Sequence, residues 1–209
     1  GEMTTHLDVY RMMSEEHRPY LYFVFSRAKT ESLARALGRT VQRSMLSPEE
    51  IRQVEARIQA FLEQPNAESA LDPVLVRLYK QGIAFHHAGL HVMLKALVEE
   101  LYEQKLIRVL YCTGTFALGI NMPARTAVFD SLERYDGTRM IELPTREFMQ
   151  MAGRAGRRGL DERGTVVMRM SKDDIGSYLS QIKRYLRASY EPVHSRFSLS
   201  FNFLIPNCL

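Results

Sequence analysis

"YLYFVFSRAKTESLARALGRTV", residues 20–41, passes from an apolar run to a helical repeat across a single serine. Its first six residues show no polar alternation, which marks a strand covered on both faces. Ser26 ends the run, and from Arg27 onward Leu33, Ala34, Leu37 and Val41 recur at helical spacing. A buried strand feeding directly into a helix is the unit from which parallel sheets are built.

The same alternation continues along the chain. In "LSPEEIRQVEARIQAFLEQPN", residues 46–66, Ser47 is placed to cap a helix, Pro48 suits its first position and Glu50 completes a capping box. Ile51, Val54, Ile58, Phe61 and Leu62 give that helix an apolar stripe. Residues 64–73 read as a surface linker, and Pro73 opens a short helix through Tyr79. "IAFHHAGL", residues 83–90, is a short strand running into a loop, and the helix after it buries Met93, Leu94, Leu97, Val98 and Leu101. Further strands are predicted at 107–112, 126–130 and 164–170, a helix at or after Pro144, and a closing helix over 173–190 weakened by Gly176. The fold class is therefore α/β, a parallel sheet with helices on both faces. Ligands of such sheets sit beyond the carboxyl ends of the strands. That places the segments after 20–25, 83–86 and 107–112 on one edge.

Bulk properties narrow the function. The chain has 209 residues, 45% of them hydrophobic and 25% charged, with a formal net charge of +4. That balance is ordinary for a globular protein and only mildly favours a polyanionic partner. No run approaches the roughly 18 apolar residues of a membrane span, and the first residues lack the basic and apolar parts of a signal peptide. Gly1 in place of Met reads as a trimmed or excised piece of a longer chain. Cys112 and Cys208 predict no disulfide framework, so the protein is read as cytoplasmic with reduced thiols. Position matters more than total charge: Arg154, Arg157, Arg158 and Arg163 fall in one short segment with only Asp161 and Glu162.

Two stretches carry chemistry. "QMAGRAGRRGLD", residues 150–161, sets Arg154 and Arg157 three apart, on one face if the helix continues, between glycines that permit close approach. Paired guanidiniums make a fork for phosphate oxygens. "YCTGTFALGINMPARTAVF", residues 111–129, leaves a strand through small and hydroxylated residues. His86 and His87, adjacent on or beside a strand, point to opposite faces and complete no metal set.

These stretches carry a resemblance. "QMAGRAGRRG" resembles motif VI of superfamily 2 helicases in the form used by the Ski-like DExH-box group, "TGTFALGINMPARTAVF" that group's motif V, and "GIAFHHAGL" its motif IVa. "FVFSRAKTESLA" is similar to motif IV more loosely, and "SRFSLSFNFL" to the entry into the next domain. One position departs: Gly114 stands where the group has glutamate in motif V.

The resemblance implies a RecA-like sheet, the second of two such domains in an ATP-dependent helicase, over residues 1–190, with 191–209 the start of the following domain or a linker. It implies Arg154, Arg157 and Gln150 as catalytic residues at the γ-phosphate, and Gly119 and Asn121 at the nucleotide. Ser26, Arg27, His87, Gly89, Thr113 and Thr115 are implied to face a nucleic-acid backbone. The sequence holds no P-loop and no DExH box, so ATP and Mg²⁺ would be held mainly by the first RecA-like domain, and this chain alone would be inactive. The implied partners are that first domain and single-stranded or tailed RNA, with DNA possible. A non-catalytic nucleic-acid-binding module is the alternative of a different class.

Overall fold

A computed structural model describes residues 4–119, 122–156 and 164–189. The expectations placed on Asn121, Arg157, Arg158, Arg163, Cys208 and 191–209 lie outside the described residues.

The chain opens with α1 (His6–Met12), followed by β1 (Tyr20–Phe23) and α2 (Arg27–Thr40). Next come α3 (Pro48–Leu62), α4 (Ala67–Ala70), α5 (Pro73–Gln81), β2 (Ile83–His86) and α6 (Val92–Glu103). The second half holds β3 (Val109–Cys112), β4 (Thr126–Phe129), the hairpin of β5 (Glu133–Tyr135) and β6 (Met140–Glu142), α7 (Thr145–Ala152), β7 (Thr165–Met168) and α8 (Ile175–Ser189). Five strands form one sheet in the order β2-β3-β1-β4-β7, every pair parallel. β1 sits at its centre and is wholly buried, as its unbroken apolar run requires. None of the described helices is long and apolar enough to cross a membrane.

Strand alternation shows which helices cover which face. Phe85 lies beneath the Arg35 guanidinium of α2 at 5.9 Å, whereas the next residue, His86, bonds Glu99 of α6. Phe129, in the same register row as His86, packs on Phe148 of α7, and Phe148 stacks on Tyr185 of α8 at 4.0 Å. So α2 covers one face and α6, α7 and α8 the other, the two-sided arrangement the sequence predicts.

Ser47 caps α3 with the reciprocal Glu50 bond, and Pro48 occupies its first turn. The linker over 64–73 differs in holding the four-residue α4, entered through Asn66 in the left-handed region at φ 64°. Gly176 costs α8 little, because it falls in the first turn rather than mid-helix.

The α2 side of the sheet also carries a buried polar cluster. Asp130, just past β4, accepts from the Tyr22 hydroxyl at 2.6 Å, Lys29 Nζ at 2.7 Å and Arg169 Nε at 3.0 Å. Arg169 donates onward to the Thr4 carbonyl, and His6 Nδ1 is bonded to the Tyr111 hydroxyl at 2.7 Å. These contacts lay α1 across the sheet.

Candidate nucleotide and nucleic-acid edge

Phe23, His86, Cys112, Phe129 and Met168 occupy one register row, so β1, β2, β3, β4 and β7 all end at the same level. The segments that follow them therefore emerge side by side, and most of the sequence-predicted site residues lie there.

After β3 the chain enters a 3₁₀ turn, Gly114–Leu118. Phe116 anchors it, with its ring edge-on to His86 at 5.0 Å and to Tyr102 at 5.8 Å. The Tyr102 hydroxyl donates to the Pro123 carbonyl at 2.7 Å, tying the far end of the loop to α6. His86 shares a hydrogen bond with Glu99 at 3.0 Å; burial nevertheless lowers its pKa, against the raising influence of Glu99. With its core-facing residues fixed, the turn leaves Thr115 and Gly119 exposed and Thr113 partly so. The hydroxyls of Thr113 and Thr115 lie 2.9 Å apart. A Cβ on Gly114 would meet Met151 Sδ of α7 at 3.4 Å, so this position looks onto α7.

The arginine segment is docked against the same turn. Arg154 Nη2 donates to the carbonyl oxygens of Ala117 and, at 2.9 Å, Gly119. Partial burial lowers the pKa of its guanidinium from the usual value. Its main chain is fixed too: Ala124 N–H donates to the Arg154 carbonyl at 2.8 Å, and Gly156 N–H to the Ala124 carbonyl at 2.7 Å. Gly156 turns there with φ 97°, a conformation that strains other residues. Gln150 and Arg154 share a cleft of about 410 Å³ with Ala117, Leu118, Met149 and Gly153. Among the described residues the lining offers a guanidinium and an amide but no carboxylate. These described residues fit one side of a phosphate group and supply no anionic ligand for Mg²⁺.

At the ends of β1 and β2, Ser26 caps α2 by accepting from Lys29 N–H at 3.3 Å, and Arg27 is exposed beside it. A Cβ on Gly89 would stand 3.2 Å from Arg27 Nη1. His87 lies under this corner with an imidazole only 8% exposed, its Nε2 3.0 Å from Glu31 and its Nδ1 accepting from Gly89 N–H at 3.0 Å. His86 and His87 thus diverge to α6 and α2 and do not converge on one point. A bond from Thr113 N–H to the His86 carbonyl, at 3.3 Å, links this corner to the loop after β3.

The structure thus assembles two groups, Gly119, Gln150 and Arg154 in one, Ser26, Arg27, His87 and Gly89 in the other, with Thr113 and Thr115 between. Sequence reasoning missed Phe116, Tyr102 and Glu31. Nothing in their spacing announces that they support the site, since Phe116 and Tyr102 read as ordinary core residues and Glu31 as a solvated helix residue.

No family model matches the chain. Among curated proteins, the DExH-box ATP-dependent RNA helicase DExH9 of Arabidopsis thaliana is 31% identical over 209 residues, which are 98% of this chain and 21% of the relative. The Superkiller complex protein 2 of Homo sapiens is 34% identical over 187 residues, 90% of this chain and 15% of the relative. The exosome RNA helicase MTR4 of Homo sapiens is 34% identical over 197 residues, 93% of this chain and 18% of the relative. The chain spans about a fifth or less of the length of these relatives.

Proposed function

Because the chain belongs to the Ski-like DExH-box helicase group, as a RecA-like α/β domain, we propose that it is the second motor domain of an ATP-dependent RNA helicase. In this reading ATP and Mg²⁺ are held mainly by a first RecA-like domain, and this chain closes on the nucleotide from the other side. Bound ATP supplies the phosphoryl group that is transferred to water. Arg154 and Arg157 bring positive charge to the γ-phosphate, and Gln150 orients polar groups beside it. Gly119 and Asn121 approach the nucleotide. Ser26, Arg27, His87, Gly89, Thr113 and Thr115 shape the surface that meets the backbone of single-stranded or tailed RNA. Contacts of this kind need not read sequence, which suits a translocating motor.

The observation that carries the proposal is the junction of Arg154 with Ala117 and Gly119. It joins the phosphate-facing arginine to the loop whose other end holds the strand-facing threonines. The Arg154 guanidinium also lines the cleft beside Gln150, where it can meet a phosphate, a placement that holding the loop alone does not require.

The test is ATP hydrolysis by the full-length protein that carries this domain, with and without single-stranded RNA or DNA, comparing wild type with Arg157→Ala. RNA-stimulated turnover that falls by about 10³-fold or more in the variant supports the reading, as for arginine fingers elsewhere. Stimulation by DNA alone moves the substrate. Turnover that ignores the substitution, or is absent throughout, leaves a binding module as the better description.

A further inference from the structure

Glu31 stands outside the strand-facing set, on the α2 face turned toward the end of β2, and it governs a residue inside that set. The His87 imidazole lies flat against Phe85, with ring centroids 6.1 Å apart and planes 9° from parallel. Its Nδ1 accepts the Gly89 N–H at 3.0 Å. A main-chain N–H only donates, so Nδ1 carries no proton and the proton of the neutral ring sits on Nε2. Nε2 faces Glu31 Oε1 at 3.0 Å, and an ionised carboxylate only accepts. The two neighbours therefore demand the same tautomer from opposite ends of the ring.

The consequence reaches the surface. The turn after β2 is closed by the Gly89 bond and by Leu90 N–H donating to the His87 carbonyl at 3.1 Å. Gly89 cannot gain a side chain without pressing on Arg27 Nη1 at 3.2 Å and the His87 ring at 3.3 Å. The position of Gly89, and with it the bare surface beneath the Arg27 guanidinium, is thus set by the orientation of a ring that Glu31 holds.

We propose that Glu31 is a positioning residue for nucleic-acid binding: by fixing the Nε2–H tautomer of His87 it holds the 87–90 turn where Arg27 and Gly89 receive a phosphate of the bound strand. The proposal rests on the reading of this edge as strand-facing. Glu31 acts through His87 and does not touch the strand itself.

The Glu31 side chain is 40% exposed, so its removal leaves the core packing in place, which a thermal melt verifies. The decisive experiment compares wild type, Glu31→Ala and Glu31→Gln. Long-range proton–nitrogen NMR of His87 is expected to show the Nε2–H tautomer in wild type and in the glutamine variant, whose side-chain carbonyl can still accept. In the alanine variant both tautomers are expected, with Gly89 amide exchange about tenfold faster, the loss of roughly one hydrogen bond. In the full-length protein, oligouridine affinity is expected to fall in the alanine variant and to return in the glutamine variant. An unchanged tautomer and unchanged Gly89 exchange in Glu31→Ala overturns the positioning role. A shifted tautomer with unchanged affinity overturns its link to binding. Failure of the wild-type protein to bind the oligonucleotide, with the tautomer result intact, overturns instead the reading of the edge.

Discussion

The guanidinium of Arg154 donates through Nη2 to the Gly119 carbonyl at 2.9 Å, so the arginine turn and the loop after β3 are joined side chain to main chain. The Ala117 carbonyl accepts from the same nitrogen, and Gly119 N–H in turn donates to Phe116 at 3.1 Å. An arginine proposed to face phosphate therefore also holds the loop proposed to face the strand. A shift in either one moves the other, which is the kind of contiguous contact through which two ligands can be coupled.

Arg154→Ala is expected to loosen that loop independently of catalysis. Two charge-assisted bonds to carbonyl oxygens are lost, a cost of about 1–3 kcal/mol for a partly buried group. Hydrogen exchange of residues 114–119 without nucleotide is expected to rise about tenfold or more. Arg154→Lys keeps a cation but not the rigid planar group that sets one nitrogen against both carbonyl oxygens, and is expected to recover less than half of the protection.

His6 predicts a pH dependence. Burial pushes its pKa down to about 4 from 6.5, with Asp130 opposing and Arg169 and Lys29 reinforcing the shift. The unfolded chain therefore takes up a proton at a pH where the folded one does not. The stability contribution is complete above pH 6.5 and is lost as the pH falls toward 4, by up to about 3 kcal/mol. Melting temperature is expected to drop through this window in wild type and to drop less in His6→Gln. Asp130 acts in a separate and lower range. Burial alone would raise its pKa, but the bonds from Lys29 and Tyr22 and the charges of Arg169 and Lys29 hold it below 3.8. Its contribution is intact above that value and fails only as the pH falls through the lower folded pKa.

Gly164→Ala tests the close approach behind the arginine turn. The added Cβ would sit 2.3 Å from the Ala155 carbonyl carbon and oxygen and 2.5 Å from Gly156 N, all of them backbone atoms that cannot rotate aside. The expected cost is about 1–3 kcal/mol in a chemical denaturation curve, with faster exchange at Ala155 and Gly156.

Tyr102→Phe and Phe116→Ala separate the two restraints on the loop after β3. Removing the hydroxyl that donates to Pro123 is expected to cost about 1 kcal/mol, and removing the Phe116 ring about 3–5 kcal/mol. Thermal melts rank the two; a larger loss from Tyr102→Phe would contradict the view that Phe116 is the main anchor.

Much of this architecture was legible from residue pattern. β1 and β3 are unbroken apolar runs, α3 begins at a readable serine-proline-glutamate cap, and all three lie where pattern places them. The misses share a cause in shortness. α1 has seven residues, with Val9 and His6 as its buried ones, although its Thr5–Asp8 capping box was a usable signal. β5 and β6 have three residues each, too few for alternation to show. At the site, glycine and arginine identities pointed to Arg154 and Gly119, but not to the bond between them. Glu31 could not be read as a partner of His87 because 56 positions separate them and only the sheet brings them together.

The Asp130 cluster has a mechanical meaning. Thr4 is fastened by Arg169, just beyond β7; Arg169 grips Asp130, just beyond β4; and Asp130 is held by Tyr22 of the central β1. Tension arriving along the chain at Thr4 is therefore delivered to three strands at once instead of peeling α1 away turn by turn. α1 and the sheet would therefore respond to a force at Thr4 as a single body.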